Sequence, residues 1–284
     1  MSGYVAAPAG WQRVATRGPR PFVTEELFRA PDGREVRWRS RAHRKASERL
    51  AAAADGESTW WRPRRRAWWM AVLFSAGSFC FLAGGVVSQL APQFAAGTGV
   101  VFFVGSILFT GAAYLQYAEA VNAARELDAR RRVRWRPASW EPKRIDWLAS
   151  LVQFLGTLAF NVTTFTAMKH GFTTRQSNVR VWAPDAVGSV AFLVSSELAF
   201  AEVCHRWFCV RRRTLSWRIV ALNLAGSVAF GISAVASYTE PATGEPLSAH
   251  IANSGTALGG LCFLLASLLL MPESANAAAT QGSA

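Results

Sequence analysis

The sequence predicts an all-α integral membrane protein with six transmembrane helices, and three observations lead to this fold class. Apolar residues, 51% of the total, are gathered into blocks instead of being spread evenly. Each block has about 20 residues, the length that a helix needs to cross a hydrocarbon core about 30 Å thick. Basic residues are distributed asymmetrically between the blocks, and one short motif recurs in all of them.

The apolar blocks define six spans in order along the chain. They cover residues 67–90, 98–118, 146–168, 185–205, 216–238 and 251–271. Because the first block follows a long polar segment, we expect no secretory signal peptide of the usual form.

The basic residues predict the orientation of the spans. Of 31 lysine and arginine residues, 28 fall in segments that share one side, and Lys169, Arg175 and Arg180 fall on the other. Excess positive charge marks the cytoplasmic side of a membrane protein. We therefore expect a multi-pass protein with both termini in the cytoplasm. The bias towards arginine and alanine is typical of a GC-rich bacterial genome, so the expected location is the bacterial plasma membrane.

A helical motif recurs in every span. Odd-numbered spans carry tryptophan, glycine and phenylalanine at fixed offsets: Trp68, Gly77 and Phe81; Trp147, Gly156 and Phe160; Trp217, Gly226 and Phe230. Even-numbered spans carry glycine, phenylalanine and glutamate: Gly105, Phe109 and Glu119; Gly188, Phe192 and Glu202; Gly259, Phe263 and Glu273. Residues four apart share a helix face, and glycine allows close approach, so the motif predicts helix packing.

This recurrence predicts three tandem hairpins around an axis along the membrane normal, as in parallel-repeat transporters. The hairpins cover residues 64–120, 143–205 and 206–273. They are flanked by a basic cytoplasmic N-terminal region, 1–63, a basic linker, 121–142, and a tail, 274–284, that we expect to be disordered.

The cytoplasmic ends of the spans carry a repeated set of charged and aromatic residues. Arg64, Lys143 and Arg213 each precede a motif tryptophan by four residues. The tryptophans are expected to anchor the helices in the headgroup layer. We also expect the three cations to pair with the three motif glutamates, which end the even-numbered spans on the same side.

The N-terminal region has its own pattern. A Pro31-Asp32-Gly33 turn between two strand-like pieces predicts a β-hairpin, and residues 40–54 read as a basic helix. Basic and aromatic residues together favour binding to the anionic lipids of the inner leaflet. Nucleic acid is the alternative partner, but we do not expect it.

The hairpins with the Gly-Ser-x-x-Phe motif resemble the small two-helix domain of bacterial YrhK-like proteins. Residues 64–273 resemble longer, multi-hairpin members of that family. The family has no established activity, so the resemblance implies the fold and the membrane location, and it carries over no catalytic residues.

Glu197 is the candidate for intramembrane chemistry, because charged groups in hydrocarbon are costly and are functional candidates by default. Gln153, Asn161 and Asn223 are its candidate partners. Together they would form a polar site that binds a proton or a small cation. The alternative is one interhelical hydrogen bond made by a neutral carboxyl.

Catalytic motifs are missing from the sequence, which has no HExxH, G-x-S-x-G or P-loop, so we expect neither an enzyme nor a cofactor. Cys204 and Cys209 flank His205 without the spacing of a zinc site, and we expect no metal and two reduced thiols. A membrane scaffold or regulatory subunit, with a homo-oligomer or another protein as partner, is the first functional reading. A small-solute or cation/proton transporter or channel that uses Glu197 is the second.

Overall fold

The computed structural model describes residues 9–41, 66–122, 136–210 and 214–279, with side chains as far as Glu273. Among these residues, six helices are long and apolar enough to cross a membrane, which confirms the predicted helical membrane architecture. They are α1 (Arg66–Leu90), α2 (Ala95–Val121), α3 (Ile145–Ala167), α4 (Thr174–Cys204), α5 (Leu215–Ala236) and α6 (Ala249–Ala279).

The helices form a closed ring in chain order. Each helix packs along the next, and α6 returns to pack along α1. Glycines bring these last two backbones very close together. A Cβ atom built on Gly260 would lie 2.6 Å from the Leu82 backbone nitrogen, and one on Gly85 would lie 2.8 Å from that of Ala257. The ring therefore closes through backbone contact that larger residues would prevent.

Two helices extend furthest beyond their predicted bounds. α4 begins at Thr174, where the Thr173 side chain caps the first turn, and it passes through a π-helical turn at Asn178–Trp182. α6 continues past Pro272 to Ala279, so residues 274–279 are helical where the sequence predicts disorder.

The N-terminal segment forms an antiparallel sheet of strands β1 (Gln12–Arg17), β2 (Glu25–Arg29) and β3 (Glu35–Arg39), in the order β1-β2-β3. The predicted hairpin is present as β2 and β3, which join through the turn at Asp32 and Gly33, and Gly33 takes a φ of 84°. Phe28 and Trp38 are the buried centre of this sheet. Most of the predicted basic helix, residues 42–54, lies outside the described residues.

The sheet lies at one end of the ring, which we call the sheet end. There α1, α3 and α5 begin, and α2 and α4 end close to Glu119 and Glu202. Ser40, directly after β3, donates a hydrogen bond to Glu202, which places the sheet against the ends of the helices.

Cys204 and Cys209 are joined by a disulfide at this end, with a Cα–Cα distance of 5.5 Å. The expectation of two reduced thiols is therefore wrong. His205 lies between them in a left-handed conformation, with a φ of 58°, and turns the chain back after α4. Four residues separate the two cysteines, and the reversal of the chain between them brings the two sulfur atoms together.

Candidate functional site

The motif phenylalanines meet on the axis of the ring. All are buried, with exposed fractions of 3–8%. The three from α2, α4 and α6 contact one another pairwise, with ring centroids 5.7–5.9 Å apart. Those from α1 and α3 both contact the one from α5, at 5.6 and 6.0 Å. We call this cluster the phenylalanine plug: Phe81, Phe109, Phe160, Phe192, Phe230 and Phe263.

The motif glycines make room for the plug. A Cβ atom on Gly156 would lie 3.0 Å from the Phe192 ring, and one on Gly188 would lie 3.0 Å from the Phe160 ring. The same close approach occurs at Gly77 against Phe109, Gly226 against Phe263, Gly259 against Phe230, and Gly105 against Cys80. Five of the six motif glycines thus leave space for a plug phenylalanine on the facing helix, and Gly105 leaves space for Cys80.

A cavity of about 80 Å³ adjoins the plug towards the sheet end. Phe74, Phe109 and Phe263 contribute to its apolar lining. Its polar lining comes from five helices: Gln116, Glu119, Asp146, Ser150, Gln153, Ser195, Ser196, Glu202, Asn223 and Ser267. A polar cavity of this size holds several water molecules.

The position of each lining residue follows from its distance to the plug along its own helix. Residues seven apart share a helix face, because seven residues make almost two turns. Gln153 and Asn223 lie seven residues before Phe160 and Phe230, and Gln116 lies seven after Phe109. All three amides therefore point to the same axis as the plug, where they line the cavity.

Hydrogen bonds between helices hold the cavity wall. The Gln116 side chain donates to Gln153 Oε1 at 2.9 Å and so links α2 to α3. Ser195 Oγ donates to the Ala149 carbonyl at 2.8 Å, which links α4 to α3. Ser196 and Ser227 pair at 2.7 Å and link α4 to α5. The wall thus consists of neutral amides and hydroxyls along its deeper part.

Carboxylates gather where the cavity meets the sheet end. Glu119, Asp146 and Glu202 all line it there. Asp146 accepts two hydrogen bonds from Arg144, at 2.7 and 3.3 Å, and is 4% exposed. Glu273 lies at the same end and accepts a hydrogen bond from Ser216 at 2.6 Å. Charged groups therefore surround the mouth, and neutral polar groups lie below it.

The predicted intramembrane site is only partly assembled. Gln153 and Asn223 line the cavity, but Asn161 donates to Thr110 at 2.9 Å, between α2 and α3. Glu197 follows Phe192 by five residues, which turns it about 140° from the axis. It shares the outward stripe of α4 with Val190 and Val194, which are 59% and 45% exposed. Glu197 is not part of the cavity lining, so the cavity brings together only two of the four predicted residues, and their role stays a prediction.

The predicted anchors and ion pairs also have mixed outcomes. Trp68 and Trp217 are half-buried, whereas Trp147 is 1% exposed and packs against Tyr117. Anchoring in the headgroup layer stays a prediction for all three.

Arg64 and Arg213 lie outside the described residues, and their pairing with glutamates stays a prediction. Lys143 is exposed and takes no part in the ion pairs between described residues, where its neighbour Arg144 bonds to Asp146 and Glu141 instead.

Sequence reasoning missed several residues of the cavity. Gln116, Ser195, Ser196 and Ser267 all line it, and each lies three, four or seven residues from a plug phenylalanine. That spacing was the signal that would have found them. Arg41 also lines the cavity although it belongs to the N-terminal segment, and no local pattern predicts this.

Comparisons with protein-family models, with curated proteins and with solved structures find no match to this chain.

Proposed function

We propose that this protein passes a small ion or a small polar solute along the axis of its helix ring, with the phenylalanine plug as the closed gate. One observation carries the proposal: a cavity lined by all six described helices, with polar side chains from five of them, ends on an aromatic cluster in the middle of the ring. The pathway runs along this axis and does not involve Glu197.

The placement of polar groups supports passage over a purely structural role. Amides and hydroxyls inside an apolar helix bundle are costly unless they bond to one another or to water. Gln153 bonds to Gln116 and at the same time lines the cavity, which is large enough to hold water. Packing a scaffold needs no such space. The small volume restricts the solute to a few heavy atoms or a partly hydrated ion.

The plug has the properties of a hydrophobic gate. Rings of apolar side chains block conduction because water leaves the constriction. A void of only about 10 Å³ remains among five of the plug phenylalanines, and its other lining residues are Ser106 and Thr157. Conduction would require the phenylalanines to separate.

The proposal also states how the ring is oriented in the membrane and which repeated unit it is built from. The excess of basic residues at the sheet end supports a cytoplasmic location for that end and for both termini. The Cys204–Cys209 disulfide at the same end points the other way, because disulfides are rare in the reducing cytoplasm. The matching glycine and phenylalanine positions support three hairpins that repeat one unit around the membrane normal. The membrane proposed for the protein is a bacterial plasma membrane. Membership of the YrhK-like family remains a prediction.

Flux through liposomes tests the proposal. Phe81→Ala shortens a plug side chain, and Phe79→Ala is the matched control, because Phe79 lies on the same helix and is 60% exposed. We expect Phe81→Ala to raise the flux of protons, alkali cations or small neutral solutes above that of the wild type. Phe79→Ala should not change it.

A second variant distinguishes flux through an opened gate from leakage through a damaged bilayer. Asn223→Leu, combined with Phe81→Ala, fills the polar wall without restoring the plug, and it should lower the raised flux. Equal flux in all variants and in empty liposomes would contradict passage. That result would favour a scaffold or regulatory subunit, the other function that the sequence predicts.

A further inference from the structure

The N-terminal segment reaches from the sheet into the mouth of the cavity. Ser40 Oγ donates to Glu202 Oε1 at 2.8 Å, and both residues are buried. The next residue, Arg41, is part of the cavity lining. Two consecutive residues thus connect the end of β3 to the carboxylates at the mouth.

Arg41 makes the stronger of these two contacts. Its guanidinium donates to Glu273 through Nε at 3.2 Å and through Nη2 at 3.0 and 2.9 Å, so that both carboxylate oxygens accept. The two side chains are 17% and 9% exposed. Charge-assisted, two-point pairs of this kind are the stronger hydrogen bonds in proteins, and removing one partner from a buried pair is costly.

The sheet has a second point of attachment beside the mouth. Thr24 Oγ1 lies 2.9 Å from His205 Nδ1, and Glu25 Oε2 lies 3.7 Å from His205 Nε2. Phe22 packs against an apolar cluster that includes Ile145 and Leu198, from α3 and α4. The contacts on this side hold the sheet on α3 and α4, whereas Arg41 ties it to α6 across the mouth.

We propose that the N-terminal sheet is a lid on the axial cavity, and that the Arg41–Glu273 and Ser40–Glu202 contacts are the latch that keeps it closed. In this state Arg41 controls access to the polar wall from the sheet end. The regulatory consequence, control of flux, rests on the proposed function, whereas the covering of the cavity does not.

The lid can move as a unit because its own structure does not depend on the latch. β2 lies between β1 and β3 in a continuous ladder, and Phe28 and Trp38 are buried within the sheet. The latch contacts are polar and lie at the end of β3. Breaking them leaves the ladder intact, so the expected opening is a local event with its own free energy.

Chemical access to the cavity tests the lid without any assumption about transport. Ala199 lines the cavity and is replaced by cysteine as a reporter, in a background with Cys80→Ala and Cys262→Ala that removes the free thiols of the described residues. The rate of reaction with a small, charged methanethiosulfonate reagent is measured on the purified full-length protein in detergent.

Three further substitutions are compared in this background. Arg41→Gln and Glu273→Gln break the latch from its two sides. Arg29→Gln is the control, because Arg29 pairs with Glu35 on the same sheet and both side chains are about half exposed. We expect both latch variants to react about tenfold faster than the parent, since reactivity follows the open fraction, and the control to react at the parent rate.

Equal rates in the parent and the two latch variants would overturn the lid, whatever the flux measurements show. A parent rate equal to that of an unfolded, fully accessible thiol would also overturn it. Circular dichroism and thermal unfolding identify a variant that has failed to fold, and Ser40→Ala then replaces it, with a smaller increase expected in the same direction. Latch-dependent access without any flux would retain the lid and reject the proposed function.

Discussion

The ring of Phe109 lies 5.8 Å from the ring of Phe263, although their helices, α2 and α6, are separated by α1 on one side of the ring. Phe192 of α4 completes the triangle at 5.9 and 5.7 Å. Alternate helices therefore touch through their phenylalanines across the centre of the structure. The plug joins helices that do not pack side by side.

Shortening a plug residue should destabilise the whole ring. Phe109 is 4% exposed and contacts rings from three other helices. Phe109→Ala should lower the free energy of unfolding by about 3 kcal/mol, at the low end for a buried phenylalanine because lipid is itself apolar. Thermal or denaturant unfolding in detergent measures this. Phe79→Ala should stay close to the wild type, and an equal loss in both would contradict the role of the plug.

Closure of the ring should be sensitive to a single methyl group at Gly260. A Cβ atom there would meet the backbone of α1, which cannot move aside as a flexible side chain would. We expect Gly260→Ala to lower stability by about 1–3 kcal/mol through overpacking. Gly97→Ala is the control, because no atom lies within 4 Å of its added Cβ. A neutral Gly260→Ala would show that α1 and α6 are not tightly packed.

Acid should weaken the N-terminal sheet through Glu25. Burial raises the pKa of its carboxyl, but the hydrogen bond from Arg39 and the charges of His205 and Arg37 outweigh this, and the pKa lies below the ordinary 4.5. A carboxyl with a depressed folded pKa stabilises fully above its unfolded pKa, and this stabilisation is lost as the pH falls through the folded pKa.

The measurement is the difference in Tm between the wild type and Glu25→Gln. We expect this difference to shrink as the pH falls from about 5 to about 3. Glu35→Gln is the control, since Glu35 pairs with Arg29 at an exposed position. A difference that does not depend on pH would contradict the assignment.

Glu197 and Gln153 should have opposite importance for flux. Gln153 bonds to Gln116 in the cavity wall, whereas Glu197 lies on the outward stripe of α4. In the Phe81→Ala background, we expect Gln153→Leu to lower the flux severalfold and Glu197→Gln to leave it unchanged. Loss of flux in Glu197→Gln would return the pathway to α4 and contradict an axial route.

The sequence predicted the helices well because their signal is strong. Long runs with few charges have one stable arrangement in a bilayer, and the glycine and phenylalanine offsets indicated which faces pack. β1 was not predicted, since Gln12–Arg17 is exposed along its whole length and shows no alternation of apolar and polar residues. Its place in the sheet depends on pairing with β2, which no local pattern reveals.

The candidate site was predicted in part, and the reason is geometric. Gln153 and Asn223 were chosen as polar residues in apolar runs, and both line the cavity. Glu197 was chosen for its charge, on the assumption that a charge inside the membrane faces inward. Its angle to Phe192 along the helix contradicts that assumption. The contact between Arg41 and Glu273 spans 232 residues, and only the folded ring brings these side chains together.

That separation sets an order for biosynthesis. The sheet leaves the ribosome before the six described helices, and Glu273 follows within the last of them. During insertion the partner of Arg41 does not yet exist, and the space between the helices stays uncovered. Formation of the Arg41–Glu273 pair therefore requires a completed ring, and a chain stalled before α6 would hold its sheet only through the contacts with α3 and α4.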